Sequence, residues 1–458
     1  MRDFNEAQAM LCLAALSYRG FHGVGVGELH VARMRQALAR GFETLSPGSP
    51  RYEVVWGPVA YRTAFSTFDD AVVYVARRLN GPAQYVVAIR GTNPISAFDW
   101  IFGDFWSGWQ VAWPYGSKAH DGAAKISLST ALGLSIIQHM RSAAPPSDAA
   151  ADVWRQLASD PGRQLLDAAT RHLAPLGDAM ARRMRGAAAK VRAGLDAIGD
   201  AGERFVDPVI DRRLSSMAQA WRDDRRSEVV HAVFDALSTV GDEQSPNILR
   251  LLQGGVRLRG ELATGPNLTA FLRAALEHAG GPVDVVITGH SKGGALAPTV
   301  ALWLAETRGT QGVAPHEQWD PHQRSTVRCY AFAGPTAGNE AFAAHSNEII
   351  GPQTHRIYNR LDLVPRAWVP KDLRAIKGLY VGVREIDLVN TLVEEVAGQI
   401  ADLRYCQVGD HVTELPGTID RTRSDFFDQV IHQHLEGYLR GLDLGGLVNT
   451  ATFFSPLS

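Results

Sequence analysis

Between positions 283 and 294 the chain runs Val283-Asp284-Val285-Val286-Ile287-Thr288-Gly289-His290-Ser291-Lys292-Gly293-Gly294, which predicts a strand, a tight turn and the start of a helix. The first six residues are mostly apolar and β-branched, which is typical of a buried strand. The pattern Gly-x-Ser-x-Gly follows at once, and an alanine-rich helix is predicted over 295–306. A serine in such a turn stands clear of the sheet, where a base can reach its hydroxyl.

The segments on either side extend this alternation of strand and helix. Apolar runs typical of strands occur at Tyr85-Val86-Val87-Ala88-Ile89, at 327–333 and at 355–358, with helical segments between them. Residues 71–78 fit either a strand or a helical turn. Such alternation predicts the α/β class, with a largely parallel central sheet and helices on both of its faces.

The composition changes between residues 143 and 265, where Ala, Arg, Asp and Leu dominate and apolar residues recur at helical spacing. Almost no strand signal interrupts this stretch, so it predicts several amphipathic helices. We therefore expect an α/β core made of residues 1–142 and 266–458, with a helical insertion over 143–265. On the substrate side of the sheet, such an insertion would act as a cap or lid.

Length and composition exclude several classes of protein. The 458 residues suffice for a large core, and a net charge of -2 gives no electrostatic footprint for nucleic acid. Cys12, Cys329 and Cys406 lie too far apart in sequence to indicate a zinc site or a disulfide framework. The apolar run from Met10 to Leu16 is too short for a transmembrane segment and lacks a signal-peptide pattern, so it predicts a first core helix. We expect a cytoplasmic protein, or one exported without a cleavable signal peptide.

An unusually aromatic segment runs from Ile95 to Tyr115. A loop with so many apolar side chains usually packs over a binding site or other residues, or is itself buried beneath another segment. Two interpretations stay open: a structural hydrophobic cluster, and a lid or acyl-binding wall. In the second case the substrate-binding candidates are Phe98, Trp100 and Phe102.

The residues beside Ser291 have separate predicted roles. The backbone N–H of Lys292 lies at the start of a helix, where free donors and the helix dipole favour negative charge. It is therefore a candidate donor to an oxyanion. His290 cannot easily turn to its neighbour's hydroxyl, so a structural role is predicted for it.

Five further segments accompany residues 288–297 in a fixed order. They are Val87-Ala88-Ile89-Arg90-Gly91-Thr92, Ala119-His120-Asp121-Gly122, residues 331–342, Asn359-Arg360-Leu361-Asp362-Leu363-Val364-Pro365 and His434-Leu435-Glu436-Gly437-Tyr438. Together these segments resemble the lipase class 3 family of α/β-hydrolases. The resemblance implies the α/β-hydrolase fold, and it implies that Thr92 supplies a second oxyanion donor through its backbone N–H and hydroxyl.

The same resemblance implies Asp362 as the acid of a catalytic triad and a C-terminal histidine as its base. The residues themselves agree, because Asp362 follows an apparent strand, where active sites of α/β proteins gather. The order Ser, Asp, His is also that of α/β-hydrolases. Asp372 and Asp320 are the alternative acids.

Two histidines are candidates for the base. Both His432 and His434 are available, and the spacing from His434 to Tyr438 favours His434. The other histidine would then be a surface residue or a neighbour of the site.

These observations predict a serine carboxylester hydrolase, a lipase or esterase that cleaves acyl esters such as acylglycerols through an acyl-enzyme. Its partners would be a lipid or other ester substrate and, transiently, a lipid interface; no metal or organic cofactor is needed. A phospholipase A1 or an acyltransferase with the same triad is an alternative. An inactive hydrolase-like interaction protein is an alternative of another class.

Overall fold

The computed structural model describes residues 5–18, 38, 50–61, 71–91, 110–116, 123–142, 265–310, 313, 317–380, 390, 393–394, 396–398, 400–423 and 426–444. The chain divides into two compact units, Met1–Ala149 with Gln253–Ser458 and Ala150–Leu252. Apart from its last residue, the predicted helical insertion over 143–265 lies outside the described residues. The elements below belong to the first unit.

The strands in chain order are β1 (Tyr52–Tyr61), β2 (Ala71–Arg78), β3 (Gln84–Ile89), β4 (Gln110–Ala112), β5 (Lys125–Ser127), β6 (Val283–His290), β7 (Ser325–Phe332), β8 (Gly338–Asn339), β9 (Thr354–Asn359), β10 (Tyr405–Cys406) and β11 (His411–Leu415). The α-helices whose bounds lie within the described residues are α1 (Glu6–Leu16), α2 (Leu128–His139), α3 (Leu268–Ala279), α4 (Lys292–Glu306), α5 (Glu340–Ile350), α6 (Pro370–Arg374), α7 (Phe426–His434) and α8 (Glu436–Gly441).

The central sheet has the strand order β1-β2-β3-β6-β7-β9-β11. The pairs β1–β2 and β2–β3 are antiparallel, whereas every pair from β3 to β11 is parallel. The mostly parallel sheet predicted from the alternation is thus confirmed. Residues 71–78, which fitted either interpretation, form a strand because they pair with β1 on one side and with β3 on the other. A second, antiparallel sheet has the order β10-β8-β5-β4.

Helix α1 is the first core element. Asn5 caps it, and Asn5 and Gln8 each accept a hydrogen bond from the other's backbone N–H at 2.9 Å, forming a capping box. Every residue from Ala9 to Leu16 is buried, which is expected of a helix that is apolar on all sides. In the described part of the chain, no helix combines the length and hydrophobicity needed to cross a bilayer.

The first turn of α4 lies directly against two strands. A Cβ atom at Gly293 would overlap the carbonyl oxygen of Ile89, and one at Gly294 would overlap that of Phe332. Glycine is therefore needed at both positions for the helix to lie this close to β3 and β7. This close packing sets where α4 begins, and so where the preceding serine stands.

We expect Gly293→Ala to lower the free energy of unfolding by roughly 1–3 kcal/mol, because its new methyl group would overlap the backbone of β3. Denaturant titration followed by circular dichroism measures the change. Gly281→Ala is the matched control, since no atom lies within 4 Å of its Cβ position, and we expect it to stay within about 0.5 kcal/mol of the parent. Equal stability of the two variants would contradict the close packing of α4.

Candidate active site

Ser291 occupies the tight turn between β6 and α4. Its backbone has φ 62° and ψ -129°, a left-handed conformation that a residue with a side chain adopts only when its surroundings hold it there. The Ser291 N–H donates to the Phe332 carbonyl at 3.0 Å, and the N–H of Gly294 donates to the Ser291 carbonyl at 2.7 Å. The strained turn is thus fixed from both sides.

A histidine and a carboxylate meet beside this turn. His434, at the end of α7, places Nδ1 2.8 Å from Oδ2 of Asp362, which follows β9. Both side chains are buried, and the Val364 N–H donates to the other carboxylate oxygen at 3.0 Å. Because an ionised carboxylate can only accept, the Nδ1 of His434 carries the hydrogen, which leaves Nε2 of the neutral ring as a base.

The alternative residues lie elsewhere. His432 Nδ1 is 3.1 Å from a carboxylate oxygen of Glu436. Asp320 accepts from the backbone N–H and the hydroxyl of Ser325 at 2.8 Å and 2.6 Å, which is a turn-stabilising role at the start of β7. Asp372 lies in the first turn of the short helix α6.

Ser291 lies close to the Tyr18 hydroxyl, since a Cβ at Gly91 would come within 2.6 Å of both that hydroxyl and Ser291 Cβ. In the part of the chain that the structure describes, the Ser291 hydroxyl makes no hydrogen bond to His434. Catalytic hydrogen bonds in substrate-free structures often tighten only when substrate binds.

Tyr438 is a site residue whose role the sequence did not predict. Its hydroxyl donates to Asp362 Oδ2 at 2.8 Å and accepts the Asn359 N–H at 3.1 Å. Burial and the nearby Asp362 charge raise the pKa of Tyr438 well above its usual value, so the hydroxyl keeps its proton and remains a donor. The only signal in the sequence was its position four residues after His434.

The oxyanion candidates are partly described. Lys292 is the first residue of α4, so its backbone N–H has no partner in the preceding turn of that helix. Thr92 lies outside the described residues. Gly91, just before it, lies against the turn, since a Cβ there would come within 2.6 Å of the His290 carbonyl oxygen and of Ser291 Cβ.

The aromatic segment is described only near its C-terminal end. Trp113 is buried, and its indole N–H donates to Glu306 at 2.7 Å. The other oxygen of Glu306 is 2.6 Å from His345 Nε2. Burial raises the pKa of Glu306, and these two partners oppose the rise. Trp113 therefore belongs to a packed structural cluster, whereas the substrate-binding candidates Phe98, Trp100 and Phe102 lie outside the described residues.

Comparisons with known proteins bear on this geometry. The family model "Lipase (class 3)" matches residues 225–371. No curated protein matches the chain. Among solved structures, the crystal structure of M37 lipase matches with a TM-score of 0.62 at 24% identity, over 98% of this chain and 96% of that one. These findings confirm the predicted resemblance and the α/β-hydrolase fold.

Two further solved structures are much less similar. The lipase from Rhizopus microsporus var. chinensis matches with a TM-score of 0.29 at 12% identity, over 79% of this chain and 68% of that one. Lip2 lipase from Yarrowia lipolytica matches with a TM-score of 0.30 at 13% identity, over 80% of this chain and 75% of that one. Because both TM-scores lie below 0.5, neither of these two matches bears on the fold.

We expect Tyr438→Phe to lower the free energy of unfolding by roughly 1–3 kcal/mol, because the Asp362 carboxylate and the Asn359 N–H each lose a buried partner. Thermal and denaturant unfolding measure the loss. Tyr380→Phe is the matched control: its hydroxyl is buried without a hydrogen-bond partner among the described residues, so removing it should leave stability unchanged or slightly raised. Equal losses in both variants would contradict the assigned hydrogen bonds.

Proposed function

We propose that this chain cleaves acyl esters such as acylglycerols through an acyl-enzyme on Ser291, Asp362 and His434. The class 3 lipase match over residues 225–371 and the α/β-hydrolase fold support a lipase-type ester hydrolase. The observation that carries the proposal is the 2.8 Å contact between Asp362 and His434, made beside a serine in a left-handed strand-to-helix turn. This combination is what an activated serine nucleophile needs.

In the proposed reaction, Nε2 of His434 takes the Ser291 proton while Oγ attacks the ester carbonyl carbon. Asp362 keeps the imidazole in the Nδ1–H form and stabilises the cation that develops. The tetrahedral intermediate then collapses, the C–O bond to the alcohol breaks, and His434 returns its proton to the leaving oxygen. Water attacks the acyl-enzyme by the same steps and releases the acid.

The negative charge on the carbonyl oxygen would be held by the backbone N–H groups of Lys292 and Thr92, with help from the Thr92 hydroxyl. The start of α4 adds the favourable end of its helix dipole. Losing one such donor typically costs ~2.7–4 kcal/mol of transition-state stabilisation. Phe98, Trp100 and Phe102 would bind the acyl chain, and the insertion over 143–265 would act as a cap.

We expect Ser291→Ala to lower hydrolysis of p-nitrophenyl esters by ~10³-fold or more without loss of the folded state. A fluorophosphonate should label the parent protein at Ser291, as peptide mass mapping can verify, and leave the variant unlabelled. Full activity in a folded Ser291→Ala protein would refute the proposal. A parent that neither hydrolyses esters nor takes the label would instead favour an inactive interaction protein.

The two C-terminal histidines form a matched pair of variants. His434→Asn should abolish esterase activity, because the base is lost, whereas His432→Asn should keep most of it, because His432 contacts Glu436. Steady-state kinetics on purified, folded variants measure both. The reverse pattern would assign the base to His432 and contradict the proposed triad.

The preferred ester is tested by an acyl series from acetyl to palmitoyl, with and without an oil–water interface. The lipase proposal expects faster hydrolysis of longer chains and activation at the interface, because an apolar wall would bind the acyl group. A preference for acetyl esters in solution would indicate a small-ester esterase. Release of lysophospholipid, or acyl transfer to an added alcohol, in excess of triacylglycerol hydrolysis would indicate a phospholipase A1 or an acyltransferase.

A further inference from the structure

His290 links the nucleophile turn to the backbone of the proposed base. It is the last residue of β6, completely buried, and its Nε2 lies 2.9 Å from the carbonyl oxygen of His434. A carbonyl oxygen only accepts, so Nε2 carries the hydrogen. The two imidazole rings are also in contact, with centroids 4.7 Å apart. His290 therefore holds the end of α7, 144 residues away in sequence.

Tyr18 selects the form of His290 that can make this bond. Its hydroxyl lies 3.1 Å from Nδ1 of His290. Burial lowers the pKa of His290 well below its usual value, so the ring is neutral and its Nδ1 offers a lone pair. Burial raises the pKa of Tyr18, so the hydroxyl keeps its proton and donates it to that lone pair. The hydrogen bonds thus run in one direction, from Tyr18 through His290 to the His434 carbonyl.

The same hydroxyl reaches two other parts of the site. Its oxygen also lies close to Gly91 and to Ser291. The geometry is tight, because a Cβ at Gly91 would lie 2.6 Å from the Tyr18 hydroxyl and 2.6 Å from Ser291 Cβ. Gly91 directly precedes Thr92, the proposed oxyanion donor.

We propose that Tyr18 and His290 are positioning residues that hold the backbone of the base His434, the segment after β3 at Gly91 and the nucleophile Ser291 in fixed relative positions. The proposal rests on the proposed function, which needs these parts placed to within ~0.5 Å. They come from segments far apart in sequence, so local structure alone cannot align them. Neither side chain gives up its proton in the reaction.

Packing alone does not account for these two polar side chains. A hydroxyl and an imidazole cost free energy when buried unless each finds a hydrogen-bond partner. Apolar residues of similar size would fill the same volume without that cost. What Tyr18 and His290 add is direction, because the hydrogen bonds from Tyr18 to His290 and from His290 to the His434 carbonyl end on the backbone of the proposed base.

The test compares Tyr18→Phe and His290→Leu with the parent in ester hydrolysis. We expect kcat to fall ~10–100-fold with little change in KM, because the reacting groups lose their alignment while the substrate surface is kept. His290→Gln should retain more activity than His290→Leu, since its amide nitrogen can still donate toward the His434 carbonyl. Unchanged or raised kcat in Tyr18→Phe would overturn the proposal.

Tyr52→Phe is the matched control for a purely structural role. Tyr52 is also buried, and its hydroxyl donates to Gln84 at 3.0 Å, so it loses a comparable bond outside the site. We expect both Tyr→Phe variants to melt at a lower temperature, but only Tyr18→Phe to lower the kcat of the folded protein. Equal kcat losses in the two variants would show that Tyr18 acts only through packing, and would contradict its positioning role.

A second readout separates this proposal from the proposed function. The protein is labelled with ¹⁵N-histidine, and the signals of the ring nitrogens are recorded by NMR. We expect His290 to be in the neutral Nε2–H form. We expect the ring signals of His434 to move in Tyr18→Phe but not in Tyr52→Phe. This result would support the positioning role even if the parent neither hydrolysed esters nor took a fluorophosphonate, in which case only the proposed function would fail. His434 signals that stay in place in Tyr18→Phe would overturn the positioning role.

Discussion

The left-handed backbone of Ser291 is the constraint on which the site depends. Such a conformation costs of order 1–3 kcal/mol for a residue with a side chain, and it persists because the surrounding backbone holds it. The Ser291 N–H is bound to the Phe332 carbonyl at the end of β7. Glycines 293 and 294 let the first turn of α4 lie against β3 and β7. The parallel sheet and the helix packed on it therefore together create the turn.

The Asp362 carboxylate is the second requirement, since a buried charge is tolerated only when its hydrogen-bonding capacity is used. Here the ring of His434, the hydroxyl of Tyr438 and the N–H of Val364 all donate to it. Two of these donors belong to the C-terminal segment, and the acid follows β9. These contacts bind the C-terminal helices to the end of the sheet where the parallel strands terminate and where Ser291 lies. The proposed acid and base are assembled by the same contacts that hold this part of the fold together.

Several features followed from residues close together in the chain. The apolar run of β6, the glycines after it and the helical spacing beyond predicted a strand, a tight turn and a helix, because burial and backbone freedom leave a local pattern. Helix α4 begins at Lys292, three residues before the predicted start, since the glycines of the turn are already helical. The apolar run within α1 likewise predicted a core helix. The positions of Tyr18 and Tyr438 left no such pattern, because a buried hydroxyl in a hydrogen-bonded site resembles any other tyrosine in sequence.

The sequence by itself determined the α/β class, the serine in its turn and the order of the candidate acid and base, since each depends on local periodicity or on short motifs. Only the tertiary structure decided which histidine contacts Asp362 and which tautomer His290 adopts. His432 and His434 share α7, and residues two apart on a helix point in directions about 200° apart. Which of the two side chains contacts the Asp362 carboxylate depends on how α7 packs against β9. His434 and Asp362 are 72 residues apart in sequence, so no local pattern encodes their contact.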